Sequence, residues 1–105
     1  MPEVDDSVLA KIFGDTPMVS VLDVLLDHPE MDYSKKELAE AAGISEPTLY
    51  RVWPRLEELG IVTETRKYGN AQLYTLDTGS DLVEDIIRFE QSVLESSAVA
   101  SAVEA

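Results

Sequence analysis

The residues that can do chemistry in this chain are six cations close together in sequence. Lys35, Lys36, Arg51, Arg55, Arg66 and Lys67 fall within residues 33–76, which also hold six acids, so the segment is neutral. The flanks carry only Lys11 and Arg88 against the remaining carboxylates, and they account for the whole net charge of -13. Grouped guanidinium and ammonium ions neutralise phosphate, so contact with a polyanion such as duplex DNA is the chemistry this segment supports. An ordinary cation frequency between unusually acidic flanks gives the same numbers, and charge alone does not separate the two readings.

Other chemistries have little to work with. There is no cysteine and a single histidine, His28. This removes disulfides, thiolate metal sites, thiol redox sensing and histidine clusters. No Ser/His/Asp set, glycine-rich phosphate loop or metal-ligand spacing is present, so the expectation is no catalytic residue, no metal, no cofactor and no enzyme. The chain of 105 residues with 45% apolar content fits one domain. No run approaches the ~18 apolar residues of a membrane span, and the opening MPEVDDSVLAK lacks the pattern of a signal peptide. A soluble, cytoplasmic protein without a membrane partner is expected.

The acidity has two candidate causes, a cell with molar salt or acidic interaction segments. The carboxylates are scattered along amphipathic stretches and not gathered into one block, which favours a halophilic, archaeal source.

The elements that must position the cations follow from periodicity and capping. Val4, Val8, Leu9, Ile12 and Phe13 share a helical face, with Asp5 and Asp6 at its start and Gly14 as its stop, giving an N-terminal amphipathic helix within residues 1–15. Thr16-Pro17 opens a second, largely buried helix carrying Val19, Val21, Leu22, Val24, Leu25 and Leu26, which ends at His28-Pro29, where His28 serves as a cap. Ser34 and Glu37 form a capping box for a short helix with Leu38, Ala39 and Ala42 inward and Gly43 terminating. Ser45-Glu46-Pro47 starts the next helix, with Leu49, Trp53, Leu56 and Leu59 in period before Gly60. Pro54 removes the hydrogen bond to the carbonyl of Tyr50 and is expected to bend this helix without ending it. Two helices joined by a short glycine turn make a helix-turn-helix. Strands over 61–65 and 71–76 flank a basic loop, 66–70, in which Gly69 and Asn70 supply positive φ. Leu82, Val83, Ile86, Ile87, Phe89, Val93 and Leu94 form a wide stripe on a helix within 78–95, and residues 96–105 read as a disordered tail.

In order and motif the chain resembles the winged helix-turn-helix regulators of the MarR and ArsR type over about residues 16–95. The most specific stretch is LAEAAGISEPTLYRVWPRLEELGIV, Leu38 to Val62. Three residues depart from the usual pattern: Trp53 replaces a smaller aliphatic, Pro54 is unusual in that helix, and Pro47 stands where a polar residue is common. The resemblance implies a mainly helical fold with a small β-hairpin, its DNA-binding domain at 16–77, an added N-terminal helix and a long C-terminal dimerisation helix. It places Ser45, Glu46, Pro47, Thr48, Tyr50, Arg51 and Arg55 at the DNA side of the recognition helix, 46–59. Arg66, Lys67 and Asn70 of the wing, 61–76, would meet the minor groove or flanking phosphate, and Lys35 and Lys36 the backbone.

The wide stripe of the last helix, with that of the first, predicts a homodimer packed through Val8, Leu9, Ile12, Phe13, Leu82, Ile86, Phe89 and Val93; packing both stripes within one chain is the alternative. The resulting reading is a sequence-specific, duplex-DNA-binding regulator. Its rival is a winged-helix module for protein contacts, favoured by the acid excess that repels DNA. No residue marks an effector pocket.

Overall fold

The computed structural model describes residues 7–104. Its order is α1 (Val8–Phe13), α2 (Pro17–Asp27), α3 (Lys35–Ala42), α4 (Glu46–Glu58), β1 (Val62–Tyr68), β2 (Ala71–Leu76) and α5 (Asp81–Glu104). This is the expected mainly helical class with one small antiparallel hairpin.

Each helix begins on a side chain that accepts from an otherwise unpaired backbone N–H. Ser7 takes the Ala10 N–H at 3.0 Å, Thr16 the Val19 N–H at 3.2 Å and Ser80 the Val83 N–H at 3.3 Å. Ser34 and Glu37 close the full capping box, with bonds of 3.1 and 2.9 Å. At the end of α3, Gly43 takes φ +72°, a left-handed conformation that costs glycine nothing. Its N–H bonds to Glu40 O, and the Ile44 N–H reaches back to Ala39 O. These two bonds form a Schellman turn that reverses the chain into α4. The pattern repeats after α4, where Gly60 N–H bonds Glu57 O and Ile61 N–H bonds Leu56 O, with both Leu56 and Ile61 buried.

The core is built one or two residues at a time from every layer. Val21 and Leu25 of α2, Leu38 of α3, Leu49 and Leu56 of α4, Ile61 just before β1, and Val83 of α5 are fully buried. At about 1.5–3 kcal/mol for each aliphatic side chain removed from water, these few residues lock α3 and α4 into their relative orientation. Helix α4 runs through Pro54, which is exposed, as the apolar period beyond the proline required. His28 stands at the C-cap of α2, where its backbone N–H bonds Val24 O while its side chain is exposed.

Several expectations are corrected. Helix α1 starts at Val8 on the Ser7 cap; the expected Val4, Asp5 and Asp6 lie outside the described residues. Val8 and Leu9, expected at a dimer interface, are 5% and 3% exposed within the single chain, because α1 folds back onto α2 and α5. Phe13 also meets Phe89, with ring centroids 6.0 Å apart. Helix α5 does not stop near residue 95 but continues to Glu104. No glycine or proline follows Gly79, and the alanine-rich segment 96–104 has good helix formers to propagate what precedes it. Strand β1 extends to Tyr68, so Arg66 and Lys67 belong to the strand, Lys67 paired with Gln72, and the turn shrinks to Gly69-Asn70. Only Gly69 of that pair has positive φ, +63°.

Acidic side chains also meet at the packing of α2 against α5. Burial raises the pKa of Glu90, and Asp23 and Asp27 across the interface raise it further. Burial likewise raises Asp23, opposed by a hydrogen bond from Ser7 and reinforced by Asp27 and Asp15. A carboxylate with a raised folded-state pKa binds its proton more tightly in the native chain, so its ionisation destabilises the fold above that pKa. The thermal midpoint should therefore rise as pH falls from neutral into the carboxylate range. Glu90→Gln should raise the midpoint at pH 7 by on the order of a few degrees and flatten that rise, as measured by circular dichroism melts across pH.

Candidate nucleic-acid interface

Helix α4 presents a polar row made of local hydrogen bonds. Ser45 caps the helix by accepting from the Thr48 N–H at 3.2 Å, and its hydroxyl donates to Thr48 Oγ1 at 2.8 Å. Arg51 Nη2 donates to the same Thr48 oxygen at 3.1 Å. The i, i+3, i+6 spacing of Ser45, Thr48 and Arg51 puts all three on one face. Ser45 is thus bound up with starting the helix, and Thr48 holds the guanidinium over the first turn. Pro47, Tyr50, Arg51 and Arg55 are exposed, whereas Glu46 and Thr48 are half-buried.

The remaining predicted residues separate into free and engaged groups. Lys36, Lys67 and Asn70 are exposed. Among the described residues, Lys36, Arg51, Arg55 and Lys67 make no ion pair. Lys35 differs, because its ammonium lies over the rings of Tyr50, Trp53 and Tyr74 and not toward solvent alone. Arg66 differs too, since its Nε donates to Asp32 Oδ2 at 3.0 Å. The wing arginine expected to enter a groove is therefore held against Asp32 from the middle of the hairpin.

That clamp has a structural cause. Neighbouring strand residues ordinarily face opposite sides of a sheet, yet Thr65 and Arg66 both bond the carboxylate of Asp32. The register between β1 and β2 shifts between Glu64 and Lys67. Such a bulge sets two residues of one strand opposite one of the other, which turns both side chains toward Asp32. Gln72 Nε2 then donates to the Arg66 carbonyl at 3.1 Å. Hydrogen bonds from Arg66 and Thr65 hold the Asp32 carboxyl below its ordinary range, and the same carboxylate pushes Arg66 up.

Two features escaped the sequence reading. Tyr68 is 75% exposed beside the turn, and it lines an open groove of about 660 Å³ with Lys36, Glu37, Glu40 and Arg66 between α3 and the wing. The sequence places it only in the loop 66–70, although an aromatic next to Gly69-Asn70 is a usable signal. Asp32 gave no local signal, because its partners stand more than 30 residues away in sequence.

Between α1, α2 and α5 an apolar groove of about 310 Å³ is lined by Leu9, Phe13, Val19, Leu22, Asp85, Ile86 and Phe89. Ile12, Phe13, Leu82, Phe89 and Leu94 are each more than a third exposed, and Ile86 and Val93 are half-buried. No helix of the described residues is long and apolar enough to cross a membrane.

No protein-family model matches the chain, and no curated protein matches its sequence. Solved structures do match. A mutant of S. aureus MepR bound to an oligodeoxyribonucleotide superposes with a TM-score of 0.68 at 13% identity, over 92% of this chain and 70% of that one. MepR itself, a transcription regulator of the Staphylococcus aureus multidrug efflux pump MepA, gives 0.62 at 20% identity, over 91% and 71%. The transcriptional regulator BldR from Sulfolobus solfataricus gives 0.59 at 14% identity, over 92% and 68%. At these identities the likeness establishes the fold, a winged helix of the form seen in those regulators.

The clamp on the wing is testable without DNA. Asp32→Ala should speed amide exchange at residues 64–67 by at least about tenfold while leaving the amides of α4 unchanged, read by hydrogen exchange. Because the folded-state pKa of Asp32 is lowered, its contribution is present above the ordinary carboxylate value and is lost as pH falls through the lowered one. In the wild type the same amides should loosen selectively only in strong acid.

Proposed function

We propose that this chain is a sequence-specific transcription regulator that binds duplex DNA as a homodimer, with α4 in the major groove and the hairpin beside the adjacent minor groove. The observation that carries this reading is the set of free cations on α3, α4 and the wing. Lys36, Arg51, Arg55 and Lys67 are exposed and without an ion pair among the described residues, in a chain with 21 acids and 8 bases. The flanks carry the whole acid excess, which leaves the neutral central segment as the part of the chain an anion can approach.

The roles divide by reach and chemistry. Thr48 and Arg51 offer a hydroxyl and a guanidinium to base edges; Arg55, Lys36 and Lys67 offer charge to phosphate. Asn70 sits at the wing tip, where minor-groove acceptors are met. Ser45, Glu46 and Pro47 bring the N-terminus of α4 to the groove. The second copy packs on Ile12, Phe13, Leu82, Ile86, Phe89 and Val93. Support for it comes from α5, whose first turns bury Val83 in the core while Phe89 and Leu94 further along stay 40% and 51% exposed.

Work in a cytoplasm of molar salt belongs to the same reading. There the acidic flanks are screened over roughly 3 Å, while phosphate contacts weaken steeply, so base-edge and aromatic contacts carry more of the affinity. One observation favours the rival protein-contact module: Asp32 and three aromatic rings occupy two of the six central cations, which leaves a sparse electrostatic footprint.

Selection from a random duplex library with the full chain separates the two. Enrichment of an inverted repeat with half-sites about 10 bp apart is expected, with affinity falling by about 100-fold or more in Arg51→Glu, Arg55→Glu. No enriched sequence, or equal binding by the folded variant, would leave the protein-contact module as the better account. Sedimentation should give a particle of twice 11.6 kDa, and Phe13→Glu with Phe89→Glu should return it to a monomer.

A further inference from the structure

Three aromatic rings from two separate elements converge on one ammonium group. Lys35 Nζ lies 5.4 Å from the ring centroid of Tyr50, 4.9 Å from that of Trp53 and 5.7 Å from that of Tyr74. All three distances fall inside the ~6 Å over which a cation is attracted to a ring face. Trp53 and Tyr74 also pack edge to face, with centroids 4.7 Å apart at 73°. Lys35 is half-buried and makes no ion pair among the described residues.

Trp53 is costly as mere filling. Its Nε1 is the one side-chain polar atom among the described residues that is buried without a hydrogen-bond partner, a penalty that phenylalanine or leucine would avoid. What indole adds over either is the strongest π face for a cation. A tryptophan where similar sequences carry a smaller aliphatic therefore has a physical account in Lys35.

Tyr50 is the ring this arrangement leaves at the surface. It is 52% exposed on α4, one residue before Arg51, and its hydroxyl makes no hydrogen bond among the described residues. Without the cation beneath it, the ring has only the ordinary rotamer preferences of an exposed helical tyrosine.

The geometry assigns Lys35 as a positioning residue for DNA recognition: anchored by Trp53 and Tyr74, its ammonium fixes the ring of Tyr50 so that α4 presents the phenol to the bases in one orientation. This assignment rests on α4 being the recognition helix. It replaces the earlier expectation that Lys35 contacts the DNA backbone.

The two roles differ in what salt and sequence do. A lysine that neutralises a phosphate contributes about 0.9 to the slope of log affinity against log salt, equally on every duplex. A lysine that orients a base-reading side chain leaves the slope alone and changes the preference between duplexes. The experiment uses the full chain, the duplex enriched in the selection above and a scrambled duplex of the same composition. Lys35→Met should lower the preference for the enriched duplex by about tenfold with the salt slope unchanged, and Lys35→Arg should restore it. Lys36→Met, at the exposed neighbour, should lower the slope by about 0.9 and keep the preference. Tyr50→Phe combined with Lys35→Met should lose no more preference than either change alone, since both act through one hydroxyl.

Trp53 is the single tryptophan of the chain, so its fluorescence reads the arrangement without DNA. Lys35→Met should change the emission, and Lys35→Arg should return it toward wild type. Unchanged emission in a folded Lys35→Met variant would overturn the assignment at its root. A slope lowered by about 0.9 with equal loss on both duplexes would overturn it in favour of a phosphate contact. No enriched duplex for the wild type would overturn the function reading and the positioning role with it, while altered emission would still report the contact of Lys35 with the rings.

Discussion

The wing and the helix-turn-helix meet at one pair of backbone hydrogen bonds. Tyr33 N–H donates to Tyr74 O and Tyr74 N–H donates to Tyr33 O, both at 2.8 Å. A two-stranded hairpin alone is marginal in water, and this bridge gives it a third extended segment to lie against. The residues around Tyr33 reinforce the junction. Thr75 Oγ1 donates to Met31 O at 2.7 Å, Asp32 holds Thr65 and Arg66, and Ser34 immediately starts α3. A stretch of four residues therefore sets the root of the wing and the first turn of the helix-turn-helix together. The distance between wing and recognition helix follows from it.

Behind that junction the helix pair is rigid for a different reason. The Schellman turn at Gly43 leaves α3 and α4 little freedom, and Leu38, Leu49 and Leu56 fill the angle between them with fully buried side chains. Among the described residues the indole N–H of Trp53 is the one buried side-chain polar atom without a hydrogen-bond partner. The polar chemistry is displaced to the rim, where Ser45, Thr48 and Arg51 hold one another in a row that solvent reaches.

Electrostatics then divides the molecule. Acids dominate α2 and α5, to the point that Asp23 and Glu90 have raised pKa values where the two helices pack. Cations gather at α3, α4 and the hairpin, yet two of them work inside the protein. Arg66 steadies a bulge and Lys35 gathers three rings. A count of charges along the chain overstates what the face offers to phosphate.

Local signals in the chain determined most of the architecture. The capping box at Ser34, the caps at Thr16 and Ser45, the glycines after α3 and α4, the apolar period carried past Pro54 and the hairpin at Gly69-Asn70 each act within one turn or one strand pair, so they are readable from neighbours alone. The same locality explains the errors. Nothing near Ser96 marked a helix end, yet the composition was read as one. Alternation along 62–68 gave no hint of the bulge, because a bulge is defined by the partner strand. Tertiary structure alone decided which cations are free. Asp32 and Arg66 are 34 residues apart, and the rings around Lys35 come from positions 50, 53 and 74. Charge and aromatic contacts depend on distance in space, which periodicity within a single element does not encode.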